Sequence, residues 1–122
     1  GEVRAMSATT DPAGRPGVST PEDASVTPHP RTELDAELSA PLRLSIVAAL
    51  SRVGEAEFSA VRDVVETNDA ELSRQVSRLE KAGYLEVTKQ RAGRYAKTWL
   101  SLTPQGLRVF TGHVDALRRI TG

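Results

Sequence analysis

The spacing of apolar positions divides the chain into elements. In "PLRLSIVAALSRV", Leu42, Ile46, Ala49, Leu50 and Val53 fall on one face at helical spacing. Pro41 opens the run at a position where its missing N–H costs nothing, and Gly54 closes it. Leu44 and Val47 lie off that apolar face. "FSAVRDVVE" predicts a second, shorter helix with Ser59 as its N-cap, and "TN" a tight turn. Asn68 then caps a helix over residues 69–82, with Glu71 completing a capping-box pattern. On this helix Leu72, Val76 and Leu79 lie within ~60° of one another at 100° per residue. Ala70, Arg74, Ser77 and Lys81 point the opposite way, with Ser73 and Arg78 on the flanks. Gly83 stands where a left-handed residue ends a helix.

The period then falls to two. Leu85 and Val87 in "YLEVTKQ", and Leu100 and Leu102 in "AKTWLSL", each share a strand face. "RAGRY" between them predicts a hairpin tip with Gly93 in the turn. Thr103 caps a last helix, "PQGLRVFTGHVDALRRI", with Pro104 at its first position. Upstream of Pro41, "TELDAEL" predicts a short helix capped by Thr32. Residues 1–31 hold most of the prolines among Gly, Ser, Thr and Asp, and carry too little apolar area to offset the entropy of ordering. A disordered tail over 1–31 and one domain over 32–122 is the expectation.

Composition narrows the function. The 122 residues include no cysteine, which removes disulfides, thiolate metal sites and a cysteine nucleophile, and fits a reducing, cytoplasmic setting. No apolar run approaches the ~20 residues of a membrane span. Sixteen acids balance sixteen bases, but unevenly. Residues 1–41 hold seven acids against three arginines, a net of −4, and residues 72–97 hold seven bases against two acids, a net of +5. Phosphates respond to the local field, so the basic block weighs more than the neutral total.

Helix, short helix, tight turn, helix and basic hairpin make a winged helix-turn-helix, mainly α with a small β-hairpin wing. In such a unit the second helix of the motif lies in the major groove and the first crosses the backbone. Helix 69–82 is then the recognition helix. Arg74 and Arg78 can reach guanine edges or phosphates, and Ser73 and Ser77 permit close approach. The wing, residues 89–97, brings Lys89, Arg91, Arg94 and Lys97 to the backbone or a minor groove. The DNA-binding set is Ser59, Asn68, Ala70, Ser73, Arg74, Ser77, Arg78, Lys81, Lys89, Arg91, Arg94 and Lys97. No Ser-His-Asp set or phosphate loop appears, so no enzyme is expected.

"PLRLSIVAAL", "FSAVRDVV", "AELSRQVSRLEKAGYLEV" and "TWLSLTPQG" together resemble the winged-helix transcriptional regulators of the MarR and ArsR classes, over roughly residues 40 to 120. The most specific part is "LSRQVSRLEKAGYLEV" followed by "LTPQG". The resemblance implies a dimeric repressor on double-stranded DNA, with a small-molecule effector as a candidate further partner. Metal-sensing members use Cys or His clusters, whereas this chain has only His29 and His113, so no metal or other cofactor is carried over. Asp69 and Glu71 also depart from an ideal DNA-facing helix start, because they suit the helix dipole but repel phosphates.

The last helix carries two apolar stripes, Leu107, Phe110, Val114 and Leu117 beside Val109, His113, Ala116 and Ile120. One core needs only one stripe. Together with Leu44 and Val47, the excess predicts a twofold dimer through Leu44, Val47, Val109, Phe110, His113, Leu117 and Ile120, reading a palindromic operator. An intrachain sandwich with the N-terminal segment is the competing explanation of the same stripes. A winged helix serving as a protein-interaction module in a larger complex is the competing function, and the acids at the recognition-helix start favour it.

Overall fold

The computed structural model describes residues 27–122; the remainder of the tail expected over residues 1–31 lies outside them. Two 3-10 turns, Pro30–Glu33 and Glu37–Ser39, lead into α1 (Pro41–Val53), β1 (Glu55–Glu57), α2 (Phe58–Val64), α3 (Asp69–Lys81), β2 (Leu85–Ala92), β3 (Tyr95–Leu102) and α4 (Pro104–Thr121). The strands form an antiparallel sheet in the order β1-β3-β2. The fold is the expected mainly-α winged helix with a β-hairpin wing.

The third strand was not legible in the pattern. Glu55–Glu57 pairs with β3 in the register Glu55↔Ser101, Ala56↔Leu100 and Glu57↔Trp99. Two glutamates flanking one alanine carry no strand signal of their own, and the apolar neighbour Leu100 supplies the reason to pair. The chain passes from this strand straight into α2, so Glu57 takes the N-cap position and makes no side-chain cap bond. Ser59, expected as that cap, sits exposed inside the helix instead.

The ends of α3 follow the expected chemistry. The Oδ1 of Asn68 accepts the N–H of Glu71 at 2.8 Å. The Glu71 carboxylate does not complete the box; it accepts from Arg74 and Gln75. At the other end Gly83 adopts φ +86°. Its N–H donates to the carbonyl of Glu80, and the N–H of Tyr84 to that of Leu79, the paired bonds that close a helix at a left-handed glycine. The turn before α3 holds Glu66 at φ 58°, a left-handed conformation that a residue with a Cβ rarely adopts. The hairpin is tighter than expected: Arg91 and Tyr95 lie in strands, leaving a two-residue turn at Gly93 and Arg94. Gly93, at φ +63°, supplies the positive angle favoured at the first position of such a turn.

The core joins α1, α3 and the sheet. Ile46, Val47, Leu50, Leu72, Leu79 and Leu100 are fully buried. Val47 therefore belongs to the core of a single chain and not to the dimer interface where the sequence placed it. Leu44, Val109 and Phe110 are partly buried against the same cluster. His113, also expected at the interface, is 3% exposed. Its Nδ1 accepts the N–H of Asp35 at 2.9 Å. The segment before α1 covers it, which is why the second stripe of α4 needs no partner chain over most of its length.

That segment is not the helix expected over "TELDAEL". The Oδ1 of Asp35 accepts the N–H groups of Glu37 (2.8 Å) and Leu38 (3.2 Å), and this local capping competes with a continuous helix. Thr32 does not cap it; its hydroxyl donates to the carbonyl of His29. The ring of His29 accepts the N–H of Arg31 and so caps the first turn. Leu38, fully buried, anchors the second.

Candidate nucleic-acid interface

The exposed side of α3 and the outer half of the hairpin face each other across a cleft. Strand alternation places Leu85, Val87, Lys89 and Arg91 on one sheet face, opposite Leu102, Leu100, Thr98 and Ala96. The first two pairs are covered by helices. Beyond them the same face continues into solvent, and Lys89 joins Ser73, Ser77, Glu80 and Thr98 in lining a cleft of about 560 Å³. Val76, Phe58, Val87 and Leu100 form its apolar wall. The structure therefore brings Ser73, Ser77 and Lys89 to one concave surface, and places the exposed Arg91 on the same strand face.

Lys97 does not join them. It pairs with Gln90 across the hairpin, on the opposite sheet face, and its Nζ lies 4.0 Å from Glu57 of β1. Arg94 sits at the hairpin turn and is exposed. Ala70, Arg74 and Lys81 are exposed on the outer face of α3. Asn68 is exposed at its start, with its side chain spent on the cap.

The two acids at the start of α3 each have a partner within the chain, but Asp69 shares its arginine with a second carboxylate. Asp69 accepts from Nη1 of Arg62 at 2.9 Å. Arg62 also donates Nε to Asp63 at 2.9 Å, and these two carboxylates push its pKa up. The amide of Gln75 and the guanidinium of Arg74 hold the Glu71 carboxyl below its ordinary range. Phosphate approaching α3 therefore meets a paired Glu71, while Asp63, Arg62 and Asp69 together keep one negative charge beside the helix start. Sequence spacing alone could not show this for Asp69, whose partner lies on the preceding helix.

A further acid was missed altogether. Glu37, in the second 3-10 turn, accepts from Nε of Arg78 at 2.7 Å across 41 positions of sequence. Its carbonyl accepts from Nε of Arg43 on α1, and Arg43 in turn donates to the side chain of Gln75 on α3. No local pattern marks such a contact. Among the described residues no group of His, Asp and Glu is arranged to hold a metal ion, and no helix is long and apolar enough to cross a membrane.

The comparisons with known proteins agree with this geometry. A family model described as a winged helix DNA-binding domain matches residues 42–121. A transcriptional regulator homologue from Pyrococcus horikoshii is similar at 25% identity and a TM-score of 0.67, covering 70% of this chain and 84% of its own. The PcaV transcriptional regulator of Streptomyces coelicolor, in complex with its natural ligand, is similar at 25% identity and a TM-score of 0.62, over 75% of this chain and 63% of that one. YusO of Bacillus subtilis shares the fold at 21% identity and a TM-score of 0.63, over 75% of this chain and 67% of its own. No curated protein matches the chain. The chain belongs to the winged helix DNA-binding domain family, and its structural neighbours are MarR-family transcriptional regulators.

Proposed function

We propose that this chain is a sequence-specific, dimeric transcriptional repressor that places α3 in the major groove of a palindromic operator. One observation carries the reading most: Ser73 and Ser77 of α3 and Lys89 of the wing border a single cleft, open to solvent. A helix in a groove and a hairpin beside it meet the duplex together only when they share a surface in this way. Ser73 and Ser77 are small enough to let bases approach, Arg78, Lys81, Lys89, Arg91 and Arg94 supply positive charge, and Arg74 offsets Glu71 at the helix start. The domain doing this work is residues 32–122, and a chromosomal partner puts it in the cytoplasm.

Dimerisation uses the apolar side chains that α4 leaves open, Leu107 and Leu117 from one stripe and Ile120 from the other. Leu107 is 47% and Ile120 39% exposed, and Leu117 lies half-buried between the covered and open sides. A second copy packed there by a twofold axis supplies the second recognition helix, and a palindromic operator requires the two about one DNA turn apart. A small-molecule effector is in keeping with the neighbour PcaV, which was solved with its natural ligand.

The test is fluorescence anisotropy with labelled DNA from upstream of the gene, against scrambled DNA, at two salt concentrations. Tight binding to the upstream fragment alone, falling steeply with salt, is the expected result. Equal, weak and salt-indifferent binding to both would instead favour a protein-interaction module. The acids that favoured that module are the ones now found paired with Arg62 and Arg74.

A further inference from the structure

Five arginines among the described residues make side-chain ion pairs, and they are not bound alike. Arg43 and Arg62 each donate through Nε and Nη1. Arg119 donates through all three nitrogens, to Asp115 and Glu33. Arg74 commits Nη2 to Glu71. Arg78 alone is held through Nε and nothing else. Its two terminal amines make no hydrogen bond to any described residue, on a side chain that is 59% exposed.

The acceptor is itself built into the scaffold. The N–H of Glu37 donates to Asp35 at 2.8 Å, and its carbonyl accepts from Arg43 at 2.7 Å. The Nε of Arg43 lies a further 3.5 Å from the Glu37 carboxylate. Asp35 is fixed in turn by the hydroxyl of Tyr84 and the ring of His113. An ordinary surface ion pair gains little because two long side chains must be immobilised to form it. Here one partner is already immobilised, so the pair orients the other. Arg43, Glu37 and Arg78 together still carry one positive charge, so the contact does not cancel attraction to DNA.

We propose that Glu37 is a positioning residue of the DNA interface: it grips Arg78 by Nε and leaves the guanidinium's two terminal amines as a fork for a pair of neighbouring acceptors on DNA. The assignment rests on the DNA-binding reading above. Two sources present such a pair, the O6 and N7 of guanine and the oxygens of one phosphate. Holding the fork before contact avoids the cost of immobilising a long side chain on binding, about 3- to 10-fold in affinity.

The experiment begins by enriching duplexes from a random-sequence pool on the wild-type protein. Wild type, Glu37→Ala, Glu37→Gln, Arg78→Ala and the Glu37→Ala/Arg78→Ala double variant are then titrated onto the selected duplex and a scrambled one, at several salt concentrations. Thermal melts run alongside. Glu37→Ala is expected to weaken binding about 3- to 10-fold. Glu37→Gln, which keeps an acceptor for Nε, should lie closer to wild type. The double variant should bind no worse than Arg78→Ala alone, since a positioning residue has nothing left to position. Loss confined to the selected duplex, with relaxed preference at one guanine, assigns the fork to a base. Loss on both duplexes, with the salt slope lowered by about one in Arg78→Ala, assigns it to a phosphate.

Glu37→Ala binding as tightly as wild type or tighter overturns the proposal, as does a loss that persists in full in the Arg78→Ala background. The first marks a mere surface charge, and the second a stability role. A wild-type protein that enriches no duplex overturns the DNA-binding reading itself and is recognised before any variant is made.

Discussion

The backbone N–H of Asp35 and the Nδ1 of His113, 78 positions apart, meet in one hydrogen bond of 2.9 Å. An imidazole that accepts at Nδ1 is neutral, so this bond ties the segment before α1 to α4 only while His113 lacks its second proton. Burial pushes the pKa of His113 down from the ordinary 6.5, against a smaller opposing pull from the Asp35 carboxylate.

The sign of the pH dependence follows. Below pH 6.5 the unfolded chain binds a proton at His113 that the folded chain resists, so folding stability falls as pH falls through that value. Urea unfolding at pH 7.5 and at pH 5.5 should show the loss. His113→Asn, which offers an oxygen near the place of Nδ1 and does not titrate, should flatten the curve over this interval. Glu33 and Glu71, both held below the ordinary 4.5 by their partners, contribute losses only in more acid solution. An unchanged slope in the variant would show that His113 does not control it.

Gly106 and Gly112 sit in the same helix and predict opposite outcomes. A Cβ on Gly106 would lie 2.3 Å from the carbonyl oxygen of Tyr84, which already accepts the N–H of Thr103. Gly106→Ala should cost about 2–3 kcal/mol through backbone displacement. Gly112 has no atom within 4 Å of that position, and Gly112→Ala should stabilise by about 0.5–1 kcal/mol. Paired thermal melts test both, and equal shifts would refute the close approach.

Asn68 fixes the start of the recognition helix. Asn68→Ala removes the 2.8 Å bond to the N–H of Glu71 and should cost about 1 kcal/mol. Asn68→Asp keeps an acceptor and should retain most of the stability. Denaturant midpoints of the two variants would separate the cap from a side chain used only for DNA.

The wing bases should not be equivalent. Lys89 and Arg91 share the sheet face that continues into the cleft, whereas Lys97 lies on the other face near Glu57. Lys89→Ala and Arg91→Ala should each lower the magnitude of the salt slope of DNA binding by about one. Lys97→Ala should leave it nearly unchanged. Three equal slopes would mean that the DNA reaches both faces of the hairpin.

Leu117→Asp tests assembly. A carboxylate among the apolar side chains that α4 leaves open should convert a dimer to monomers, read by sedimentation velocity. Val47→Asp would be a poor probe of the same question, because Val47 is fully buried within one chain and the variant would fail to fold. A wild-type protein already monomeric at micromolar concentration would remove these α4 side chains as an interface.

Periodicity by itself determined most of the elements. The helix of α1, the 3.6-residue stripe of α3, the two-residue alternation of the hairpin, the caps at Asn68 and Thr103 and the left-handed turn at Gly83 are local, and local chemistry specifies them, although the face of α1 read from spacing included Val53, which is exposed. The basic block in residues 72–97 was equally legible, because charge along the chain survives folding. Tertiary structure alone decided what those pieces face. It recruited Glu55–Glu57 as a strand because Leu100 lay ready as a partner. It buried Val47 in the core of one chain, and His113 under a segment whose turns are too short to leave a periodic signal. It put Lys97 on the far side of the wing and set Glu37 against Arg78. Each is a contact between residues distant in sequence, and no pattern within a few residues of either partner encodes it.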